Sequence, residues 1–301
     1  MTVEVQRPTV ALPAIAIGAP GAIPGPDPID AITVRAVSKS YGPIGNRVLA
    51  LHQVDLVVRR GEFVCLLGAS GCGKSTLLNL IAGLARPATG TIALSDGKPG
   101  LLFQDAALFP WLSVSGNVEL PMKLAGVAKA DRRSEAARLL ELVHLEAFAR
   151  KQPHELSGGM RQRVALARAL AQRCKILLMD EPFGALDAIT RDLLHDELER
   201  IALARGLTIV FVTHDVREAI RLGDRIVLMT SRPGRIAREF GVDLPRPRTA
   251  ASPEAASLAA EITSALRSEV RRHATDEGPG AMPPVRSSNE RHAETPEGTE
   301  R

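Results

Sequence analysis

Five short runs rich in Leu, Ile and Val set the pattern of this chain: EFVCLL (62–67), GLLF (100–103), KILLM (175–179), LTIVFVT (207–213) and RIVLM (225–229). None alternates apolar with polar positions, so each reads as a strand covered on both faces. Helical patterns lie between them. LLNLIAGL follows the first run, and DRRSEAARLLELVHL repeats Ala136, Leu139, Leu140 and Val143 at helical spacing. Strands alternating with helices predict an α/β fold with a parallel sheet at its centre. Four runs end in a polar or phosphate-binding group: GASGCGKST after the first, then Gln104, the pair Asp180 and Glu181, and His214. Ligands of parallel sheets sit at the carboxyl ends of the strands. The sequence therefore predicts these groups along one edge.

A further helix is expected in ELSGGMRQRVALARAL (155–170), where Ser157 is a natural N-cap followed by Gly158 and Gly159. Its bare N–H groups and positive dipole end suit an anion. Arg161, Arg163 and Arg168 follow along the same helix. Near the C-terminus, Ser252 and Pro253 read as an N-cap and first helical position. Leu258, Ile262, Leu266 and Val270 then give that helix one apolar stripe. Residues 1–30 read as a Pro/Ala-rich disordered arm, and 275–301, polar, Pro-rich and aromatic-free, as a disordered tail. No internal repeat is present.

Composition narrows the class. With 301 residues, 45% hydrophobic and 24% charged, the chain has ample length for a buried core. The net charge of +4 is too small for a nucleic-acid footprint. Cys65, Cys72 and Cys174 argue against a disulfide framework and for a reducing compartment. No stretch reaches the roughly eighteen unbroken apolar residues of a membrane span. The nearest, TVALPAIAIGAPGAIPG, is interrupted by Pro13, Pro20 and Pro24, and its single Arg7 faces Glu4, which argues against a signal peptide.

The chemistry is carried first by GASGCGKS, a phosphate loop of Gly68, Ala69, Ser70, Gly71, Cys72, Gly73, Lys74 and Ser75, followed by Thr76. Its glycines let backbone N–H groups wrap phosphates, Lys74 reaches the β and γ oxygens, and the Ser75 hydroxyl suits Mg²⁺. Asp180 would hold the Mg²⁺ and Glu181 would orient or deprotonate the attacking water. Standing alone, the pair would read equally well as an acidic helix cap ahead of Pro182. His214 fits a γ-phosphate contact or a satisfied core histidine. Gln104 gains a place in the catalytic and Mg²⁺ set only from its strand end. Tyr41, the single tyrosine, fits stacking on adenine or a half-exposed strand position.

In order and spacing, SY (40–41), GASGCGKST, Gln104, LSGGMRQR, ILLMDEP, GALD and THD resemble the ATPase subunits of ABC transporters across residues 31–245. FPWLSVSGNV, MDEPFGALDAITR, SRPGRI and LPRPR look like the ATPases of nitrate, sulfonate and taurine importers. Met160 stands where many members have Gln, and the stretch from Gly90 to Gln104 is short for the family. The resemblance implies ATP and Mg²⁺ as cofactors, a small antiparallel β part, and a helical subdomain at about 105–160 inserted in the ATPase domain. It also implies a C-terminal helical extension over 246–274. Ser157, Gly158 and Gly159 would cap the γ-phosphate of ATP held by a second copy. DAALFPWLSV would receive a permease helix, though Phe109, Pro110 and Trp111 also fit a local core. The expected setting is the cytoplasmic face of the cell membrane, with an extracytoplasmic solute-binding protein as an indirect partner and no nucleic acid. Two rivals stand beside this reading. A soluble ATPase working on nucleic acid or ribosomes would generally carry two cassettes or a coiled coil. A non-hydrolysing ATP-binding module has no need of both Glu181 and His214.

Overall fold

The five apolar runs are five neighbouring parallel strands. The structure, a computed structural model, describes residues 29–43, 45–248 and 252–276. The expected arm up to residue 28 and the tail from 277 onward lie outside the described residues. One sheet has the order β5 (Gly100–Leu102), β6 (Ile176–Asp180), β7 (Thr208–Thr213), β3 (Phe63–Leu67), β8 (Arg225–Met229), β9 (Ile236–Gly241). Its first five strands are parallel and β9 runs antiparallel to β8. A second, antiparallel sheet has the order β2 (Val48–Arg59), β1 (Asp30–Tyr41), β4 (Thr89–Leu94).

Side-chain alternation explains why the runs are apolar throughout. The even-numbered positions of β3, β6 and β7 (Val64, Leu66, Ile176, Leu178, Val210, Val212) share a core with α1 (Lys74–Ile81) and the antiparallel sheet. The odd-numbered positions Phe63, Cys65, Leu67, Leu177, Met179, Ile209 and Phe211 share the other core with the helices. Those helices are α2 (Val114–Leu124), α3 (Lys129–Leu142), α4 (Gly158–Leu170), α5 (Ala188–Arg205) and α6 (Val216–Leu222). Phe211 is fully buried between the rings of Phe63 and Phe183, each 5.8 Å away. Burial of one such side chain stabilises the fold by about 1.5–3 kcal/mol.

The helical expectations hold with one exception. Ala136, Leu139, Leu140 and Val143 are buried together. Ser157 caps α4, its Oγ accepting the Met160 N–H at 3.2 Å. Ser252 likewise accepts the Ala255 N–H at 3.1 Å at the start of α7 (Pro253–Asp276). Along α7, Ile262 is fully buried and Leu258 and Leu266 pack on the helical core, whereas Val270 is 47% exposed. Between Gly90 and Gln104, β4 and β5 are joined by residues 95–99 alone. LPRPR fastens the chain ahead of α7. Arg246 donates to Leu222 O and Asp224 (2.8 and 2.7 Å), and buried Arg248 donates to Leu244 O and Val242 O (3.1 and 2.9 Å).

Candidate active site

Parallel pairing puts the carboxyl ends of β5, β6, β7 and β3 on one edge, and with them Gln104, Asp180, Glu181, His214 and the phosphate loop. The loop's backbone needs glycine at two close approaches. Gly73 has φ 97°, and a Cβ there would lie 2.6 Å from Leu51 Cδ2; one at Gly68 would lie 2.9 Å from Met229 O. From 69 to 76, the Cys72 N–H donates to Ala69 O at 3.3 Å and the Lys74 N–H is turned to the Cys72 thiol, while the remaining N–H groups have no backbone acceptor among the described residues. The other N–H groups are left for a ligand.

Lys74 is buried, and its ammonium donates to Gly68 O (2.7 Å) and Ala69 O (3.0 Å) with Cys72 Sγ at 3.7 Å. Its direct acceptors are all neutral. A buried cation without a directly bonded anion, beside a rim of unpaired N–H groups, fits the phosphates of ATP. The Ser75 hydroxyl lies beside the Asp180 carboxylate and favours its charged form. No group of three or more acidic, His or Cys side chains able to hold a metal occurs among the described residues. A single carboxylate and a hydroxyl, completed by substrate phosphates, match the habit of Mg²⁺.

Burial pushes the Asp180 carboxyl above its ordinary range, against the favourable Ser75 hydroxyl, and the nearby Glu181 charge adds to the rise. A carboxyl raised in the folded state costs stability when ionised, fully so above its folded pKa, and the cost vanishes below its unfolded value. Asp180→Asn should therefore raise the thermal midpoint of the ligand-free protein at neutral pH, with the gain shrinking as pH falls through the folded pKa. Melting curves across that range check this.

Glu181 has φ 44°, a left-handed conformation that costs a residue with a side chain about 1–3 kcal/mol. Its N–H donates to Val212 O at 3.1 Å, and its carbonyl accepts from Gly184 N–H at 3.3 Å. Its Oε2 lies 3.1 Å from His214 Nδ1. The His214 side chain is 67% exposed, so it is no core histidine.

The structure thus places Lys74, Ser75, Asp180, Glu181 and His214 along one edge, with Glu181 and His214 in direct contact. It does not bring Ser157, Gly158, Gly159 or Tyr41 to them. Ser157 and Gly158 are exposed at the start of α4, and the Gly158 and Gly159 N–H groups have no acceptor among the described residues. Tyr41 is 47% exposed, with Lys39 Nζ 5.2 Å from its ring centroid. Gln104 is exposed, held through its carbonyl by Gln162. Trp111 is 73% exposed, which leaves it outside any local core.

Sequence reasoning missed the supports. Thr213 and His195 both bond Glu218, which steadies the loop bearing His214. SRPGRI backs the phosphate loop: Gly234 exchanges hydrogen bonds with Ala50 O (2.9 Å) and His52 N–H (3.0 Å), and a Cβ there would lie 2.1 Å from Cys72 O. The arginines of α4 are not an anion site. Arg161, Arg163 and Arg168 donate to the carbonyls of Leu156, Val143 and Ala107 at 2.6, 3.0 and 2.8 Å.

Residues 51–184 match the family described as ABC transporter. An uncharacterised ABC transporter ATP-binding protein of Methanocaldococcus jannaschii is 44% identical over 79% of this chain and 92% of its own. The nitrate import ATP-binding protein NrtC of Synechococcus elongatus is 50% identical over 68% of this chain and 33% of its own. The bicarbonate transport ATP-binding protein CmpC of the same organism is 48% identical over 72% and 34%. A dimeric ATP-binding cassette solved in a post-hydrolysis state with ADP and Pi superposes with a TM-score of 0.66 at 35% identity, covering 71% of this chain and all of the other. The chain belongs to the ABC transporter ATP-binding family and is an ABC-type ATPase.

Proposed function

We propose that this chain energises import of a small inorganic anion through a separate permease at the cytoplasmic face of the cell membrane. The observation that carries the reading is the single sheet edge that bears the phosphate loop with Lys74, then Asp180, and the Glu181–His214 contact. Lys74 and the loop N–H groups bind the β and γ phosphates. Ser75 and Asp180 hold Mg²⁺, with Gln104 completing the set, and the ion supplies charge neutralisation when bound. Glu181 takes the proton of the attacking water while His214 holds Glu181 and faces the γ-phosphate. Tyr41 stacks on the adenine. Ser157, Gly158 and Gly159 cap the γ-phosphate held by a second copy, so hydrolysis needs two chains. The dimeric cassettes among the similar structures support this pairing. The nitrate and bicarbonate relatives support the solute class.

No helix among the described residues is long and apolar enough to cross a membrane, and this reading assigns attachment to the permease. Exposed Trp111, 5.4 Å from the Phe109 ring, offers it an apolar contact. Fractionation after co-expression tests this. The chain should follow membranes only when permease subunits are present, with ATPase activity rising on addition of nitrate or bicarbonate and binding protein. Stable binding to protein-free liposomes at physiological salt would contradict it.

A further inference from the structure

An open groove of about 740 Å³ runs between α6 and α7, within the size range of small-molecule clefts. None of its lining residues belongs to the phosphate loop. Arg217 of α6 and Arg267 and Arg271 of α7 line it, with Thr263 and Ser264 beside them. The α7 residues recur at spacings of three and four, so they share one face of the helix. Asp215 is the one carboxylate in the lining among the described residues. Its Oδ1 is already engaged, by the Arg217 and Glu218 N–H groups at 2.8 and 3.4 Å.

Neighbouring arginines are paired and these are not matched by acids. Arg221, one turn beyond Arg217, bonds Asp192 at 2.7 Å and Asp196 at 2.6 Å. Arg272, beside Arg271, pairs with Glu269 at 2.7 Å. The Arg217 and Arg267 guanidinium groups make no hydrogen bond or ion pair among the described residues. One turn from Arg267 along α7 stand Thr263, Ser264, Val270 and Arg271, none of them acidic. Like charges four residues apart work against a helix, so helix stability gives no reason for Arg267 and Arg271 together. An anion in the groove would offset that repulsion and give the guanidinium groups a partner.

We propose that the α6–α7 groove binds a small soluble anion bearing phosphate groups. Arg217, Arg267 and Arg271 supply the charge, and the Thr263 and Ser264 hydroxyls supply further donors. The planar fork of arginine meets phosphate oxygens two at a time, which favours phosphate over a monovalent anion such as nitrate. A concave groove takes a free ligand, whereas a bilayer presents its phosphates on a flat surface. The proposal uses none of the roles given to the catalytic residues.

The test titrates inorganic pyrophosphate into the full chain saturated with ADP, by calorimetry, with nucleotide retention followed in parallel. ADP keeps the phosphate loop filled. Pyrophosphate should bind saturably and at least about 10-fold more tightly than nitrate, the worth of one charge-assisted hydrogen bond. Arg217→Gln and Arg267→Gln should each weaken it by about 10-fold or more for the same reason. Arg267→Lys keeps the charge and should recover part of the loss. Arg133→Gln, at an exposed position of α3, should stay within about twofold, since distant surface charges are screened. All these positions are exposed, so the variants should fold as the parent does, which melting curves check. No saturable binding, binding that expels ADP, unchanged affinity in both groove variants, or equal weakening by Arg133→Gln overturns the proposal. Vesicles of phosphatidylglycerol should leave the chain in solution at physiological salt. Sedimentation with them that Arg267→Gln abolishes would assign the groove to a lipid surface and overturn the soluble ligand.

Discussion

Glu181→Gln is expected to bind Mg-ATP as the parent does and to lose turnover by about 10²–10⁴-fold, the usual worth of a positioned base. The substitution is local. Lys74 and the loop N–H groups are untouched, and glutamine meets the same backbone strain at φ 44° as glutamate. It can still bond His214 Nδ1, 3.1 Å from the present carboxylate oxygen, but it cannot take a proton from water. Phosphate release and nucleotide binding measured together check this. Hydrolysis at the parent rate would remove Glu181 from the role of base.

Ser157→Arg should keep ATP binding and lose hydrolysis by about 10²-fold or more, the scale for losing donors to developing phosphate charge. Ser157 is exposed and makes no contact with its own phosphate loop among the described residues, so binding through Lys74 should survive. Loss of the cap costs about 0.5–2 kcal/mol, which a fold with two large cores can bear. Lys74→Ala makes the opposite separation, since it removes the buried ammonium and with it nucleotide binding. Full activity in Ser157→Arg would reduce the helix start to a cap.

The parallel strands were legible because both faces of Val64–Leu67 or Ile209–Val212 are covered, which leaves no polar position to confuse the pattern. Ser157 was legible because a cap is local chemistry. The hairpin of β1 and β2 was not read from its own pattern. Ala36 and Gln53 adopt φ 47° and 46° where the register shifts, and Val57 is 41% exposed in an outward position, so alternation breaks down. Gln162 and Arg168 were illegible for another reason. Their partners are backbone carbonyls 58 to 62 residues away, and a carbonyl carries no side-chain signature.

Sedimentation of Glu181→Gln with Mg-ATP and with ADP tests most directly whether the Ser157 helix start completes a second chain's site. Each charge-assisted hydrogen bond to the γ-phosphate contributes about 1.5–3 kcal/mol, so several across two sites can outweigh the cost of association. The account predicts a dimer with Mg-ATP, a monomer with ADP, and a monomer in both when Ser157→Arg is added. A Glu181→Gln chain that stays monomeric with Mg-ATP, or that still dimerises with arginine in place of Ser157, would contradict it.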